Sequence, residues 1–358
     1  MGGSPYASSL GRLKALHLAF LPKEAFGPML QARDLTDLTK LLEPTLYGPE
    51  LARAAQTYSG PAAIEVAVNR LFVRRQQIAL QASSFAGKPL LAAYLRRWDI
   101  ENIGLVLAAK SEGRPVTEAE AFLVSSREIP AGLFAGNLGL DDFRSLLGQP
   151  SLEAVANQLV RFGYGGTLLP LLEAYRKSRN IFPLLDALQQ EYYRQLLASG
   201  KFFQGDEWVV REFLRSEIDL KNVLLLLKGK DAGLPLDPVL ERWIAGGTIP
   251  RERVPDLYNV RGLVEMVGAL EGRWPALTEA LGPALAQHSL VPFELALTRE
   301  RTVRELKRLR SFPLSVGILF TFLLWAEIER SDLRKVVYGR LYGVGAEELG
   351  ATLLIPRL

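Results

Sequence analysis

Glycine–lysine pairs are the residues of this chain whose types come closest to phosphate chemistry. A phosphate-binding loop needs Gly-Lys followed by Ser or Thr, because the backbone amides and the lysine hold the phosphates while the hydroxyl binds Mg²⁺. The pairs Gly87-Lys88, Gly200-Lys201 and Gly229-Lys230 are followed by Pro, Phe and Asp. The sequence therefore predicts no nucleotide-binding loop of this kind.

Carboxylates and histidines could serve acid–base or metal chemistry, but their spacing does not favour it. Asp141-Asp142 and Glu347-Glu348 are adjacent pairs, and adjacent side chains on a helix point about 100° apart. His17 and His288 are the 2 histidines, and cysteine is absent, which excludes disulfides, thiol catalysis and thiolate zinc sites. We expect no catalytic residue, cofactor, metal or small-molecule substrate. An enzyme that acts through buried carboxylates is the alternative left open.

The densest charged segment, residues 299–310, contains six basic and two acidic residues. Arg301, Arg304 and Arg308 share one helix face, because they are spaced i, i+3 and i+7. Such a run usually forms a solvated face, and the alternative is contact with an acidic partner protein or with anionic lipid headgroups. These three arginines are our candidate partner contacts. No nucleic acid is expected, because a net charge of +4 over 358 residues is a weak field.

Composition and hydropathy are those of a packed protein. Apolar residues make up 48% of the chain and charged residues 23%, which excludes disorder as the main state. The longest apolar run, residues 313–326, has 14 residues, whereas a membrane-spanning helix needs about 20. We expect a cytoplasmic protein that is at most peripheral to a membrane.

Helical spacing of apolar residues, at i, i+3 and i+4, extends over most of the chain. It is clearest in residues 90–110, 152–163, 168–197, 208–230 and 314–341. Glycine and proline clusters fall between these segments, where they end helices. Alternating strand patterns are scarce. The sequence therefore predicts an all-α protein of many helices with short loops.

Two of these helical segments repeat one pattern at an offset of 120 residues. The matched pairs are Asp99 with Asp219, Asn102 with Asn222, Lys110 with Lys230, Gly113 with Gly233, Pro115 with Pro235, and Ile129-Pro130 with Ile249-Pro250. A weaker third copy, 110 residues further on, pairs Asn222 with Asp332, Gly229 with Gly339, Lys230 with Arg340 and Gly233 with Gly343. Leu21-Pro22 resembles the Ile-Pro pairs. The pattern predicts three related helical units, residues 1–120, 121–240 and 241–358.

The repeated residues have a clear physical use on a helix. Asp99, Asn102 and Lys110 share one face over three turns, and polar groups on a buried helix must be hydrogen-bonded. The lysine lies in the last turn, where positive charge suits the helix dipole. Gly113 and its counterparts are candidate left-handed caps. We expect these residues to make structural contacts between helices, with a binding role as the alternative.

Several further stretches carry a family resemblance. They are Tyr6 with residues 12–15, then residues 37–51, 98–110, 217–230 and 313–349. In their order and spacing the chain resembles the C subunits of archaeal and bacterial V/A-type rotary ATPases, which are relatives of the d subunits of eukaryotic vacuolar ATPases. Residues 117–141 and 232–274 depart from the family pattern.

The resemblance implies an all-helical funnel of three similar domains with pseudo-threefold symmetry. It also implies a non-catalytic central-stalk component of a rotary motor, a socket that links the rotating shaft to the membrane proteolipid ring. Its implied partners are the shaft subunits and the ring, and its role is torque transmission for ATP synthesis and for proton or other ion transport. A generic helical repeat scaffold for another complex is the alternative.

Overall fold

The computed structural model of the protein describes residues 6–17, 20–85, 87–113, 136–200 and 208–358. Every regular element within these ranges is helical, and none is a strand. The all-α prediction is confirmed. In the same ranges, no helix combines the length and the apolar character that crossing a membrane requires.

Most of the helices within the described ranges follow one another with short connections. In the first half of the chain they are α1 (Ala7–His17), α2 (Phe26–Gln31), α3 (Leu35–Leu42), α4 (Gly48–Ala54), α5 (Gly60–Ala82), α6 (Lys88–Leu95), α7 (Arg97–Ser111), α8 (Leu140–Leu147), α9 (Leu152–Gln158), α10 (Gly165–Leu168) and α11 (Leu172–Ser178). In the second half they are α12 (Phe182–Ser199), α13 (Trp208–Asp231), α14 (Leu236–Glu241), α15 (Val254–Tyr258), α16 (Leu263–Leu270), α17 (Ala276–Gln287), α18 (Val291–Arg310), α19 (Gly317–Leu341) and α20 (Ala346–Thr352). Short 3-10 turns precede α2 and α15.

The chain forms two compact units. The first unit contains Met1–Leu185 together with Leu314–Leu358, and the second contains Asp186–Pro313. Compactness does not test internal similarity. The division into residues 1–120, 121–240 and 241–358, the funnel and the threefold symmetry therefore stay predictions.

Long helices form the core of the first unit, where α5 packs along α19. Helix α5 starts at Gly60-Pro61, and proline suits the first turn of a helix because no partner is needed for its missing N–H. The apolar face of α19 places Phe320 against Tyr94 and Phe322 against Phe20, with ring centroids 4.9 and 5.3 Å apart. Both pairs are edge-to-face, the arrangement that aromatic rings prefer.

The second unit is organised around α13, α17 and α18. Its core contains Val223, Leu227, Trp274, Phe293 and Leu297, all fully buried. The five consecutive apolar residues of α13, residues 223–227, are buried at three positions and partly buried at the other two. The apolar run thus fixes α13 in the middle of its unit, and the polar residues of the repeat lie on this buried helix.

Candidate functional site

Helix α7 holds α8 at both ends through two side chains of the repeat. Asp99, in the first turn of α7, is 0% exposed and accepts hydrogen bonds from the backbone N–H groups of Asn137, at 2.7 Å, and Leu138, at 3.2 Å. In the last turn, Lys110 donates to the carbonyl of Leu147, the last residue of α8, at 2.5 Å. A carboxylate thus meets the donors before α8 and a cation meets the acceptor at its end, which suits the helix dipole. We call this arrangement a clamp, and Asp99 with Lys110 form clamp 1.

Helix α13 makes the same contacts in the second unit. Asp219 accepts hydrogen bonds from the backbone N–H groups of Thr248, at 2.7 Å, and Ile249, at 3.3 Å. Lys230 donates to the carbonyl of Tyr258, the last residue of α15, at 2.9 Å. Asp219 and Lys230 therefore form clamp 2. The segment that they hold runs from just before the 3-10 turn to the end of α15.

Helix α19 carries clamp 3, formed by Glu329 and Arg340. Glu329 stands 110 residues after Asp219 and accepts a hydrogen bond from the backbone N–H of Leu21 at 2.6 Å. Arg340 donates to the carbonyl of Ala32, which caps α2, at 3.5 Å. The segment held by clamp 3 is therefore near the start of the chain. It begins with Leu21-Pro22, the pair that resembles Ile249-Pro250.

A second polar position of the repeat binds a later part of the chain in two copies. The Asn222 amide both accepts from the N–H and donates to the carbonyl of Ile244, at 3.0 and 2.8 Å. Asp332 accepts from the N–H groups of Leu354, at 2.8 Å, and Ile355, at 2.7 Å. Ile244 and Leu354 each lie 22 residues beyond their partner. Asn102, at the corresponding place in α7, is buried as well.

Glycines end the three clamp helices in the left-handed conformation. The φ angles are +66° at Gly113, +63° at Gly233 and +70° at Gly343. Residues with a side chain are strained at such angles. Gly339 has a different role, because a Cβ there would lie 2.6 Å from the side chain of Leu349. Its missing side chain lets α20 approach α19 closely.

Part of the predicted repeat lies beyond the structural description or needs correction. Pro115 and Ile129-Pro130 lie outside the described residues. In the second copy, Asp219 accepts a hydrogen bond from the backbone N–H of Ile249. In the first copy, the corresponding donor to Asp99 is the backbone N–H of Leu138. Leu138 lies 39 residues after Asp99, whereas Ile249 lies 30 after Asp219. The hydrogen-bonded segment thus begins nine residues later in the first copy than in the second, whereas the offset of 120 still holds at Gly113 and Gly233.

Burial changes the acidity of two repeat carboxylates. Burial raises the pKa of Asp99 to about 6, although the hydrogen bonds from Asn137 and Leu138 act in the opposite direction. Burial likewise raises the pKa of Asp332. In each case the loss of water around the charge outweighs the backbone donors. Both carboxylates therefore act as structural hydrogen-bond acceptors, and burying their charge costs free energy.

A buried polar cluster surrounds Glu329 in the first unit. Besides Leu21, it receives hydrogen bonds from the Tyr47 hydroxyl, at 2.5 Å, and from the Arg75 guanidinium, at 2.6 Å. Burial, followed by the charge of Glu329, raises the pKa of Tyr47 well above its usual value, so Tyr47 remains a donor. Glu329 is not among the residues predicted from the sequence. The signal that could have found it was its place 110 residues after Asp219.

Arg301 is engaged inside the second unit. It is 8% exposed, and its guanidinium lies 3.3 Å from Glu217 and 3.2 Å from the hydroxyl of Ser216. The guanidinium also stacks 4.7 Å from the centroid of Phe213. A solvated helix face is therefore the wrong interpretation for this residue.

Arg304 and Arg308 lie nearer the surface, and acids of their own helix pair with them. Arg304 lies 3.5 Å from Glu300 and 3.4 Å from Glu305, and Arg308 lies 3.0 Å from Glu305. Arg304 also covers the ring of Trp274 at 4.7 Å. Their side chains keep 34% and 29% of their surface exposed. Both remain reachable by a partner.

A surface groove of about 500 Å³ lies between α3, α4 and α5. Its floor and walls include Leu51, Ala52 and Ile64, and its charged lining residues are Lys40 and Glu43. This lining contains one carboxylate, so it offers no pair of acids for catalysis. Across the described parts of the chain, no group of three His, Asp or Glu side chains could hold a metal ion.

Comparison with known proteins gives full-length matches. Residues 10–351 match the family whose description is ATP synthase (C/AC39) subunit. The chain is 35% identical to the C subunit of the A-type ATP synthase of Thermoplasma acidophilum, over 99% of both chains. It is 33% identical to that of Thermoplasma volcanium, over 96% of both. It is 24% identical to that of Methanocaldococcus jannaschii, over 98% of this chain and 86% of the relative.

Proposed function

The chain belongs to the ATP synthase (C/AC39) subunit family, and we propose that it couples the rotating shaft of an A-type ATP synthase to the membrane proteolipid ring. The observation that carries this proposal is the length of the similarity. The two Thermoplasma relatives are matched over 96% or more of their own length and are the C subunits of A-type ATP synthases. In this role the chain is a non-catalytic part of the complex.

The mechanical properties of the fold support this role. The helices α5, α13, α18 and α19 have 23, 24, 20 and 25 residues, so each is roughly 30 to 38 Å long at 1.5 Å per residue. Close-packed interiors deform little under load. Each clamp adds two polar contacts that fix a short helical segment at both of its ends. A protein that transmits torque needs this resistance to bending.

The three clamps also support the proposal of three related units in a funnel. They use the same helix positions, and each holds the segment that starts next to Leu138, Ile249 or Leu21. In this proposal, the N-terminal helices α2 to α4 complete the third unit. Such an arrangement would provide a socket for the shaft and a base that faces the ring.

The proposed partners are the shaft subunits on one side and the proteolipid ring on the other. The chain would lie at the cytoplasmic face of the membrane, as a peripheral part of a complex that transports protons or other ions. Because Arg301 is used inside its unit, the proposal of a partner contact passes to Arg304 and Arg308. Contact of these residues with lipid headgroups remains the second possibility.

Reconstitution tests the proposal directly. The ATP synthase is purified from cells that lack this chain, and the full-length protein is then added back. We expect it to bind both the head-and-shaft module and the membrane ring, and to restore ion pumping driven by ATP hydrolysis. A chain that binds neither module, while the rest of the complex pumps normally, would favour a generic helical scaffold.

A further inference from the structure

Besides the exposed Arg161, which stacks on Phe162, three arginines of the described chain stack on phenylalanine rings. Arg75 lies 4.1 Å from the centroid of Phe20, Arg301 lies 4.7 Å from that of Phe213, and Arg330 lies 5.3 Å from that of Phe72. Stacking of this kind orients the guanidinium plane and shields it from water. The three sites can therefore be compared by what each guanidinium bonds.

Two of the three have a carboxylate of their own unit. Arg75 is 2.6 Å from Glu329, and Arg301 is 3.3 Å from Glu217. For Arg330, the described residues supply one hydrogen bond, from its Nε to Asn69 at 2.8 Å, and no carboxylate within 4 Å. A buried or partly buried cation normally has an anionic partner. Arg330 thus departs from the pattern of the other two.

The guanidinium of Arg330 is held in a fixed orientation. Its Nε is bonded to Asn69, which is 1% exposed, and its plane lies over Phe72 and, at 6.0 Å, over Trp98. Among the described residues, the buried polar atoms that lack a partner do not include either Nη of Arg330. Both Nη atoms therefore reach the surface. Arg330 is thus fixed at its Nε, while the Nη donors of its partly buried guanidinium, the Nη fork, have no partner among the described residues.

None of the acids near Arg330 in the described chain forms an ion pair with its guanidinium. Burial, and then the charge of Arg334, lower the pKa of Arg330 to about 10, while Glu101, Glu65 and Glu327 act in the opposite direction. Two of these acids have other partners. Glu65 is 3.1 Å from Arg334.

The second acid with other partners is Glu327. Glu327 accepts a hydrogen bond from Tyr94 at 2.9 Å and is 3.6 Å from Arg97. Glu101 is exposed on α7. Arg330 stays protonated at neutral pH, because a pKa of about 10 is well above 7. An incoming anion would therefore meet a charged and pre-oriented donor.

We propose that the Nη fork of Arg330 is the docking point for an Asp or Glu carboxylate of a neighbouring protein in the complex. This carboxylate completes the ion pair that Arg75 and Arg301 make inside the chain. The inference rests on the proposed function, because it needs neighbouring proteins in a rotary complex. To the proposed function it adds the position of one contact with a neighbouring protein, at Arg330, and the chemistry of that contact.

The balance of nearby charges favours a single carboxylate over an anionic lipid surface. Three arginines, at positions 97, 330 and 334, and three glutamates, at positions 65, 101 and 327, balance one another here. Such a neutral patch does not attract an anionic lipid surface, which requires a cluster of basic residues. A planar guanidinium instead matches one carboxylate, through two parallel N–H···O bonds.

Removing the fork while keeping its packing is the first test. Arg330→Met retains a flexible apolar stem over the two rings. Binding of the full-length chain to the solubilised complex purified without it is measured, and we expect the affinity to fall roughly tenfold or more. Arg74→Met is the matched control, because Arg74 is exposed on α5 and has no ion pair within the described chain. It should change the affinity less than twofold. Thermal unfolding verifies that both variants are folded.

Cross-linking identifies the partner carboxylate. Arg330→Lys places an amine at the fork, and a carbodiimide joins amines to carboxylates in direct contact. In the reassembled complex we expect an amide bond between Lys and an Asp or Glu of another protein, found by mass spectrometry. Coupling to Glu65, Glu101 or Glu327 alone would overturn the proposal. So would unchanged affinity of Arg330→Met, or a loss confined to phosphatidylglycerol vesicles. If the wild-type chain fails to bind the depleted complex, the proposed function itself fails.

Discussion

Glu329 accepts a 2.6 Å hydrogen bond from the backbone N–H of Leu21, a residue 308 positions earlier in the chain. The same carboxylate is 2.6 Å from the buried guanidinium of Arg75. One side chain of α19 thus joins the N-terminal segment to the core of its unit. The contact makes clamp 3 the counterpart of the clamps on α7 and α13, with the difference that the held segment is encoded at the other end of the gene.

The first prediction concerns this carboxylate. Glu329→Gln leaves Arg75 buried without an anion, so we expect the free energy of unfolding to fall by about 3–5 kcal/mol. Urea unfolding, followed by circular dichroism, measures the change. The double variant Glu329→Gln with Arg75→Met removes both charges and should recover part of the loss. Equal stability of Glu329→Gln and the wild type would show that the pair contributes nothing.

The second prediction tests one clamp against another. Asp219→Ala removes the acceptor for the N–H groups of Thr248 and Ile249, and each unsatisfied donor costs about 1–3 kcal/mol. We expect these two amides to exchange hydrogen faster in hydrogen–deuterium exchange. The amides of Asn137 and Leu138, held by clamp 1, provide the internal control and should be unaffected. Uniform acceleration at both places would indicate general unfolding and contradict a local role.

The third prediction is a pH dependence centred on Asp99. Its folded pKa, about 6, lies above the unfolded value near 4, so the folded state prefers the protonated carboxyl. The resulting stabilisation is fully present below about pH 4 and is lost as the pH rises through 6. The difference corresponds to about 3 kcal/mol at 1.36 kcal/mol per pKa unit. Asp99→Asn cannot titrate, so its stability relative to the wild type should rise between pH 4 and pH 7 in urea unfolding. A constant difference would refute the assignment.

The fourth prediction uses two neighbouring glycines. Gly343 has a φ of +70°, so Gly343→Ala should lower the free energy of unfolding by about 1–2 kcal/mol. Gly345 precedes α20 with a φ of −57° and open space around its Cα, and Gly345→Ala is the control. We expect it to cost less than Gly343→Ala, because only the preference of the N-cap for glycine over alanine is lost. Similar losses in the two variants would show that backbone conformation is not the cause.

The fifth prediction concerns the arginines that remain partly exposed on α18. Reversing both charges, with Arg304→Glu and Arg308→Glu, should weaken co-purification with the shaft and ring subunits, because partner acids would then be repelled. Lys307→Glu on the same helix is the control, since Lys307 is exposed and forms no ion pair among the described residues. Circular dichroism checks that the variants are folded. If the double variant recovers both partners as well as the wild type does, Arg304 and Arg308 are not part of the interface.

Helical periodicity, glycine–proline punctuation and family motifs were sufficient to predict the fold class and the family. They are local signals, and residues three or four apart share a helix face whatever the rest of the chain does. The same logic placed Asp99, Asn102 and Lys110 on one face of their helix. The sequence could not identify the hydrogen-bond partners of Asp99 and Asp219. These partners include backbone atoms, such as the N–H groups of Leu138 and Ile249, and nearly every residue type has them.

Two residues show where sequence reasoning stops. Glu329 has a different residue type from Asp99 and Asp219, so a search for identities passes over it. Arg301 is separated by 84 positions from Glu217, and nothing in the run of charges around it distinguishes it from Arg308. Burial of one member of a charged run depends on how α13 and α18 pack, which spacing within one helix cannot reveal.

The origin of the Leu21 contact has a consequence for synthesis on the ribosome. At 5–20 residues per second, Glu329 is added roughly 15 to 60 s after Leu21. The second unit is one continuous stretch, Asp186–Pro313, and its residues emerge together. Helices α2 to α4 must wait for nearly the whole chain before they meet α19. We therefore expect nascent chains to acquire protease-resistant structure in the middle first, with the N-terminal region protected only after release.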